Sequence, residues 1–156
     1  MIKRIGGREA AEQKEQQMSV LLNHRSENKL QAYADTLRLV TYTVRMCENE
    51  HIFPKKCRWT LCSKILENCF DSLVKIKQAN KIRPATAEQA KFRLKLELQI
   101  LLNFDALWTL IDIAANAYEI PKEKVGIWSQ LMLTADNRVM AWRKNDAAAL
   151  KKEFDF

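Results

Sequence analysis

Glu48-Asn49-Glu50-His51 is the one place in this chain where residue types and spacing spell a familiar piece of metal chemistry. A Glu-x-x-His pair on each of two helices is how di-iron carboxylate bundles aim ligands into their core. The second pair is missing: the other histidine is His24, and the position three before it is Leu21. His51 also stands three residues before Pro54, at a helix end, so the spelling reads as structural, and neither a metal nor another cofactor is expected. The cysteines Cys47, Cys57, Cys62 and Cys69 are spaced by ten, five and seven, with no Cys-x-x-Cys pair. Cys57, between Lys56 and Arg58, is the one expected to be exposed, with its thiolate favoured by those charges. Neither histidine stands within a helical turn of a cysteine or serine that would form a plausible dyad, the near case being His24 with Ser26, in a polar stretch. Gly6-Gly7 and the isolated Gly126 make no phosphate-cradling loop. No catalytic residue is expected, and the chain does not read as an enzyme.

The elements that would position any site are helices. Leu30, Tyr33, Leu37, Val40, Val44 and Cys47 form one apolar seam at 3-4 spacing, and Trp59, Cys62, Leu66, Cys69, Leu73 and Ile76 form a second. Val125, Trp128, Met132, Ala135, Val139 and Trp142 form another, late in the chain. Between these, the stretch from Leu94 to Ile113 is apolar on more than one face, which predicts a helix central to a bundle or covered by another subunit. Its acids Glu97, Asp105, Asp112 and Glu119 fall in one narrow sector, either a solvated strip or an electrostatic seam. Asn103, Asp105 and Asp112 interrupt this stretch, so no membrane span is expected.

The helix limits follow from punctuation. Helix one is expected from about Glu27 to Glu50, closed by Phe53-Pro54, and helix two from Pro54, in its first turn, to about Asn80. Thr86 followed by Gln89 spells a capping box for helix three, which is expected to reach about Glu119, and Pro121 reads as the first residue of helix four. Short connections between long helices predict an all-α, antiparallel, up-down-up-down four-helix bundle. The expected organisation is a flexible polar leader over 1–26, the bundle over 27–145, and a C-terminal tail over 146–156 that adds a last turn or lies loose.

Composition fits one domain of 156 residues with 47% apolar content and only three Gly and three Pro. The N-terminus has no apolar signal segment, so a cytoplasmic location with reduced thiols is expected. A net charge of +7 and a pI near 9.3 predict attraction to polyanions. Helix two concentrates that charge, with Lys55, Lys56, Arg58, Lys64, Lys75, Lys77 and Lys81 against Glu67 and Asp71. Lys56, Lys64, Lys75 and Lys81 are expected roughly opposite its apolar seam, as a strip that could meet several phosphates or simply solvate the helix. Arg138, Arg143 and Lys144 on helix four are further nucleic-acid candidates. The tryptophans are placed in packing seams, which argues against a membrane-surface role.

The run Phe53-Pro54-Lys55-Lys56-Cys57-Arg58-Trp59-Thr60-Leu61, continuing through Ile65 and Leu73 to Gln78-Ala79-Asn80, resembles the accessory variability determinant (Avd) proteins of diversity-generating retroelements. The likeness extends through Phe92-Arg93-Leu94 and the late Trp142, over about residues 30 to 144. The chain departs from that pattern at Cys62 and at Arg138-Val139-Met140-Ala141, where the family has glycine. The superfamily also includes the four-helix-bundle proteins encoded in ribosomal RNA intervening sequences. The resemblance implies a non-enzymatic partner of a reverse transcriptase that binds template RNA, assembles as a homopentameric ring and supports mutagenic copying. Under it, Leu98, Leu102, Trp108 and Ile113 are expected at the subunit interface, and the basic residues named above on RNA. The competing expectation is a homo-oligomeric protein-interaction adaptor whose positive charge is incidental.

Overall fold

The computed structural model describes residues 12, 13, 16 and 31–156. The leader expected over 1–26, His24 and Ser26 included, lies outside the described residues except at 12, 13 and 16, and so does Leu30 at the start of the first expected seam. Among the described residues the chain is all-helical, with four α-helices and no strand, packed as a helical bundle. Helix α1 covers 31–48. A 3-10 turn at Lys55–Cys57 and a π-helical turn at Arg58–Cys62 lead into α2, Ser63–Lys81, followed by α3, Ala87–Ala117, and α4, Lys122–Phe154.

The third and fourth helices start close to where the sequence put them, and local chemistry explains both, whereas the second, expected from Pro54, becomes α-helical only at Ser63, and the expected start of the first at Glu27 lies outside the described residues. The Thr86 hydroxyl accepts from the Gln89 backbone N–H at 3.3 Å, and Gln89 Oε1 accepts from the Ala85 N–H at 2.8 Å. This is the capping box with its return bond displaced by one residue. Pro121 is the N-cap of α4, one position earlier than the sequence reading, and its carbonyl accepts from Val125 N–H at 3.1 Å. Glu123 lies in that first turn, where the helix dipole favours a carboxylate.

One core joins the four helices. From α4, Trp128, Met132, Ala135, Val139 and Trp142 are fully buried, so the fourth seam is the one the spacing described. Phe53 anchors the α1–α2 connection into this core, edge-on to Trp128 at 6.3 Å and to Tyr118 at 5.7 Å between ring centroids. Helix α1 is tied to α4 by Trp128 Nε1 donating to Thr43 Oγ1 (2.9 Å) and Arg138 Nε donating to Asp35 (3.2 Å). Helix α3 packs against both α2 and α4. Its flanks are bonded to them through Asn103 Nδ2 to Asp71 (2.7 Å) and Trp108 Nε1 to Asp136 (3.3 Å).

The other seams depart from the sequence reading. On α1 the buried line is Ala32, Asp35, Thr36, Leu39, Val40, Thr43, Met46 and Cys47, so that of the expected seam Val40 and Cys47 are buried while Leu37 is exposed. Asp35, Thr36 and Thr43 occupy core positions that hydropathy assigned to apolar residues, and Asp35 and Thr43 are satisfied there by hydrogen bonds. Helix α3 carries the acidic sector expected from its spacing only in part. Asp105 and Asp112 are exposed on the helix and Glu119 lies just beyond it, whereas Glu97 is fully buried. By length and a mean hydropathy of 1.4 over its most apolar stretch, α3 is apolar enough to cross a membrane. Its polar bonds to α2 and α4 are those of a helix packed in a bundle.

Residues from Asp146 onward, read from the sequence as a tail, continue α4 for more than two turns. Asp146 is buried against Arg93, and Leu150 packs with Ala90 and Leu94 into a second small apolar cluster flanked by Phe154 and Phe156. Asp155 closes the helix in the left-handed region at φ 54°.

Candidate nucleic-acid interface

The connection between α1 and α2 presents three exposed cations, Lys55, Lys56 and Arg58, within four residues. Asn49 shapes its start: its carbonyl accepts from Ile52 and Phe53 N–H, and its side-chain Oδ1 accepts from His51 N–H. Ile52 and Phe53 are buried and fix the connection to the core. Pro54 then opens the 3-10 turn, in which Lys55 and Lys56 point to solvent while Cys57 is buried. The expectation of an exposed Cys57 is therefore corrected. Its thiol donates to the Tyr118 hydroxyl at the end of α3, under Phe53, away from the charges on either side of it in sequence.

The π turn Arg58–Cys62 has a consequence for Trp59. An i→i+5 turn inserts an extra residue per repeat, so the 3-4 spacing that placed Trp59 in line with Cys62, Leu66 and Cys69 does not hold across it. Cys62 and Cys69 are buried, but Trp59 is 90% exposed, the most exposed large apolar side chain among those described. Sequence periodicity missed this residue as a surface feature. The signal available was the clustered Pro54 and β-branched Thr60 at the start of a helix, which mark local irregularity without giving its sense.

Glu50 is the local counter-charge. Its Oε1 accepts from Arg58 Nη2 at 3.1 Å and lies 3.6 Å from Lys55 Nζ. All three side chains are about half or more exposed, so these pairs contribute little and leave the cations available to a stronger anion. Lys56 is exposed beside them.

The remaining basic candidates do not join this group as a strip. Lys64 is exposed and 3.5 Å from Glu67. Lys75 is largely covered and donates to Asp71, whose carboxylate also accepts from Asn103 of α3. Burial would raise the Asp71 pKa, but the hydrogen bonds from Lys75 and Asn103 outweigh it and hold the carboxyl below its usual range. Asp71 thus ties α2 to α3, and Lys75 is engaged by it within α2. Lys77 sits on the α1 side of α2, its ammonium 4.7 Å from the centre of the Tyr33 ring. Lys81 is exposed in the last turn of α2. Between these positions the outward side of α2 carries Phe70 and Val74, both about half exposed. On α4, Arg138 bonds the buried Asp35, Arg143 has a buried Nε with no hydrogen-bond partner, and Lys144 is exposed.

Of the residues expected at a subunit interface, Leu98, Leu102 and Ile113 are exposed on the side of α3 opposite its core face. Trp108 is half-buried and bonded to Asp136 at the α3–α4 joint. Leu133 and Met140 on α4 are exposed as well.

A second constellation went unnoticed in the sequence. Arg93, inside the apolar run of α3, is buried, with Nε 2.5 Å from Asp146 and 3.3 Å from Glu97, and Nη1 donating to the Ile82 carbonyl at 2.9 Å. Burial and the neighbouring Asp146 push the Glu97 pKa up to about 9. One guanidinium neutralises one carboxylate, and a protonated Glu97 supplies the proton that two adjacent buried carboxylates need to coexist. The signal was present as Arg93 and Glu97, four apart, among leucines. This group is enclosed rather than set in a cleft.

Among the described residues, no three His, Cys, Asp or Glu side chains are grouped as a metal site. Glu48 and His51 are both exposed, at the end of α1 and in the turn after it. Burial raises the thiol pKa of Cys47 and Cys62, and that of Cys69 to about 12, so these behave as small apolar side chains. No family model, no curated protein and no solved structure matches this chain.

Proposed function

We propose that this protein is a non-enzymatic nucleic-acid-binding subunit that serves a reverse transcriptase. The observation that carries the reading is the α1–α2 connection, where Lys55, Lys56 and Arg58 are presented to solvent within one turn and Lys55 and Arg58 share the exposed carboxylate of Glu50. Such a cluster meets phosphates through exposed, weakly engaged cations, and each contact releases condensed counterions. Lys64, Lys81 and Lys144 are further exposed cations outside this cluster, whereas Lys75 is held by Asp71 in its own helix and Arg138 joins α4 to α1.

The resemblance of this segment to the accessory variability determinant proteins gives the proposal its specific form. In it, the chain binds the reverse transcriptase and template RNA of a diversity-generating retroelement in the cytoplasm and supports mutagenic copying without a cofactor of its own. The helices run up-down-up-down, and copies assemble into a ring, a pentamer by analogy with the family. Exposed Leu98, Leu102 and Ile113 on α3 supply apolar surface for such contacts.

That same apolar surface favours a second reading, a homo-oligomeric interaction adaptor of the intervening-sequence type. The two are separated by measuring affinity for a structured RNA at 50 mM and 200 mM salt for the wild type and for Lys55→Glu/Lys56→Glu/Arg58→Glu. The proposal expects wild-type affinity to fall steeply with salt and the variant to bind at least about 10-fold more weakly with a shallower slope. Equal binding by both proteins sinks the nucleic-acid reading and leaves the adaptor.

A further inference from the structure

Trp59 is the one tryptophan of four that the fold leaves in water. Trp128 and Trp142 are fully buried and Trp108 is half-buried at the α3–α4 joint, yet Trp59 is 90% exposed. A tryptophan side chain is among the largest apolar surfaces a protein can expose, and a partner that covers it gains accordingly. Its neighbours in sequence are polar: Lys55, Lys56, Arg58 and Thr60 are all exposed. An apolar protein partner or a lipid surface would want further apolar side chains beside the ring, and the exposed Phe70 and Val74 are more than two helical turns away along α2. A ligand that is at once a flat π-system and a polyanion fits both halves of this neighbourhood.

We infer that Trp59 is a stacking platform for an unpaired nucleobase, with Lys55, Lys56 and Arg58 on the phosphates flanking that base. The inference rests on the nucleic-acid reading and deepens it by assigning this turn to single-stranded rather than duplex segments. Bases in a duplex are already stacked on each other, so an exposed indole gains nothing from them, whereas an unpaired base offers a free face whatever its identity. The turn's construction suits the role. Phe53, Ile52 and Cys57 hold it to the core from within, so the ring is presented from a fixed base. Glu50 neutralises part of the local charge, and a phosphate drawing Arg58 away from it displaces only an exposed ion pair.

The test compares the wild type with Trp59→Ala, Trp59→Phe and Lys55→Glu/Lys56→Glu. Binding is followed by fluorescence anisotropy with a labelled 15-nucleotide unstructured RNA and a duplex RNA of similar length. Sedimentation with vesicles of three parts phosphatidylcholine to one part phosphatidylglycerol is run in parallel. Trp59→Ala is expected to weaken single-strand binding about 10- to 100-fold while leaving duplex binding and the salt slope unchanged. Trp59→Phe should recover much of the loss, and the lysine variant should weaken both RNAs. Single-strand binding unaffected by Trp59→Ala but reduced by the lysine variant overturns the stacking role and keeps the nucleic-acid reading. Failure of the wild type to bind either RNA overturns both. Vesicle binding that depends on Trp59, with RNA binding unchanged by its loss, overturns the inference in favour of a membrane contact.

Discussion

Thr43 joins two helices through one hydroxyl. It donates to the Leu39 carbonyl in its own helix at 2.8 Å and accepts from Trp128 Nε1 of α4 at 2.9 Å. Thr43→Val keeps the shape but leaves the buried indole N–H without an acceptor, an expected loss of about 1–3 kcal/mol in urea unfolding. Thr43→Ser should lose less, and equal stability of the valine variant would refute this role. The Arg93–Glu97–Asp146 group predicts a pH dependence. Glu97 has an ordinary pKa of 4.5 and is raised to about 9 in the fold, so between those values the folded chain holds a proton that the unfolded chain releases. Its stability contribution is full below the lower value and is lost as pH rises through the window, with a slope of at most about 1.4 kcal/mol per pH unit. Glu97→Gln retains a neutral donor and acceptor, so its melting temperature should fall less between pH 5 and pH 9 than the wild type's; parallel curves would contradict the assignment. Neither group was legible in the sequence, because hydropathy ranks Thr43, Arg93 and Glu97 as surface residues and only their partners, 85 and 53 positions away in the case of Trp128 and Asp146, place them inside.

Helix identity was legible where a seam is long and regular. The fourth seam, Trp128 to Trp142, matches the buried face of α4 because its apolar residues recur through more than three turns without interruption. The second seam failed at its start, since a π turn changes the residue count per turn and periodicity assumes a constant one. The first was rotated by polar core residues, which leave Leu37 outside. The same element-level logic gives a prediction for Gly126. It lies in the second turn of α4, is exposed, and a Cβ built there meets nothing within 4 Å. Gly126→Ala should therefore stabilise the protein by about 0.5–1 kcal/mol, read as a raised melting temperature. A loss of stability would mean that this position contacts something the isolated chain does not contain.

Apolar residues remain uncovered on two neighbouring helices: Leu98, Leu102 and Ile113 on α3, with Leu133 and Met140 on α4. The sequence anticipated surplus apolar surface on the third helix but not the contribution of the fourth, whose seam described only its buried side. In the proposed account this surface joins copies, so Leu98→Glu/Leu102→Glu should reduce the assembly to smaller species while the chain stays helical by circular dichroism. The basic α1–α2 connection and the apolar α3 face then have separate tasks, phosphate contact and self-association. The measurement that tests this most directly is light scattering after size exclusion, with and without a structured RNA, at low and high salt. The account predicts an oligomer several chains in size that gains mass with RNA at low salt and releases it at high salt. A monomer or dimer whose mass is indifferent to RNA at both salt concentrations would contradict it.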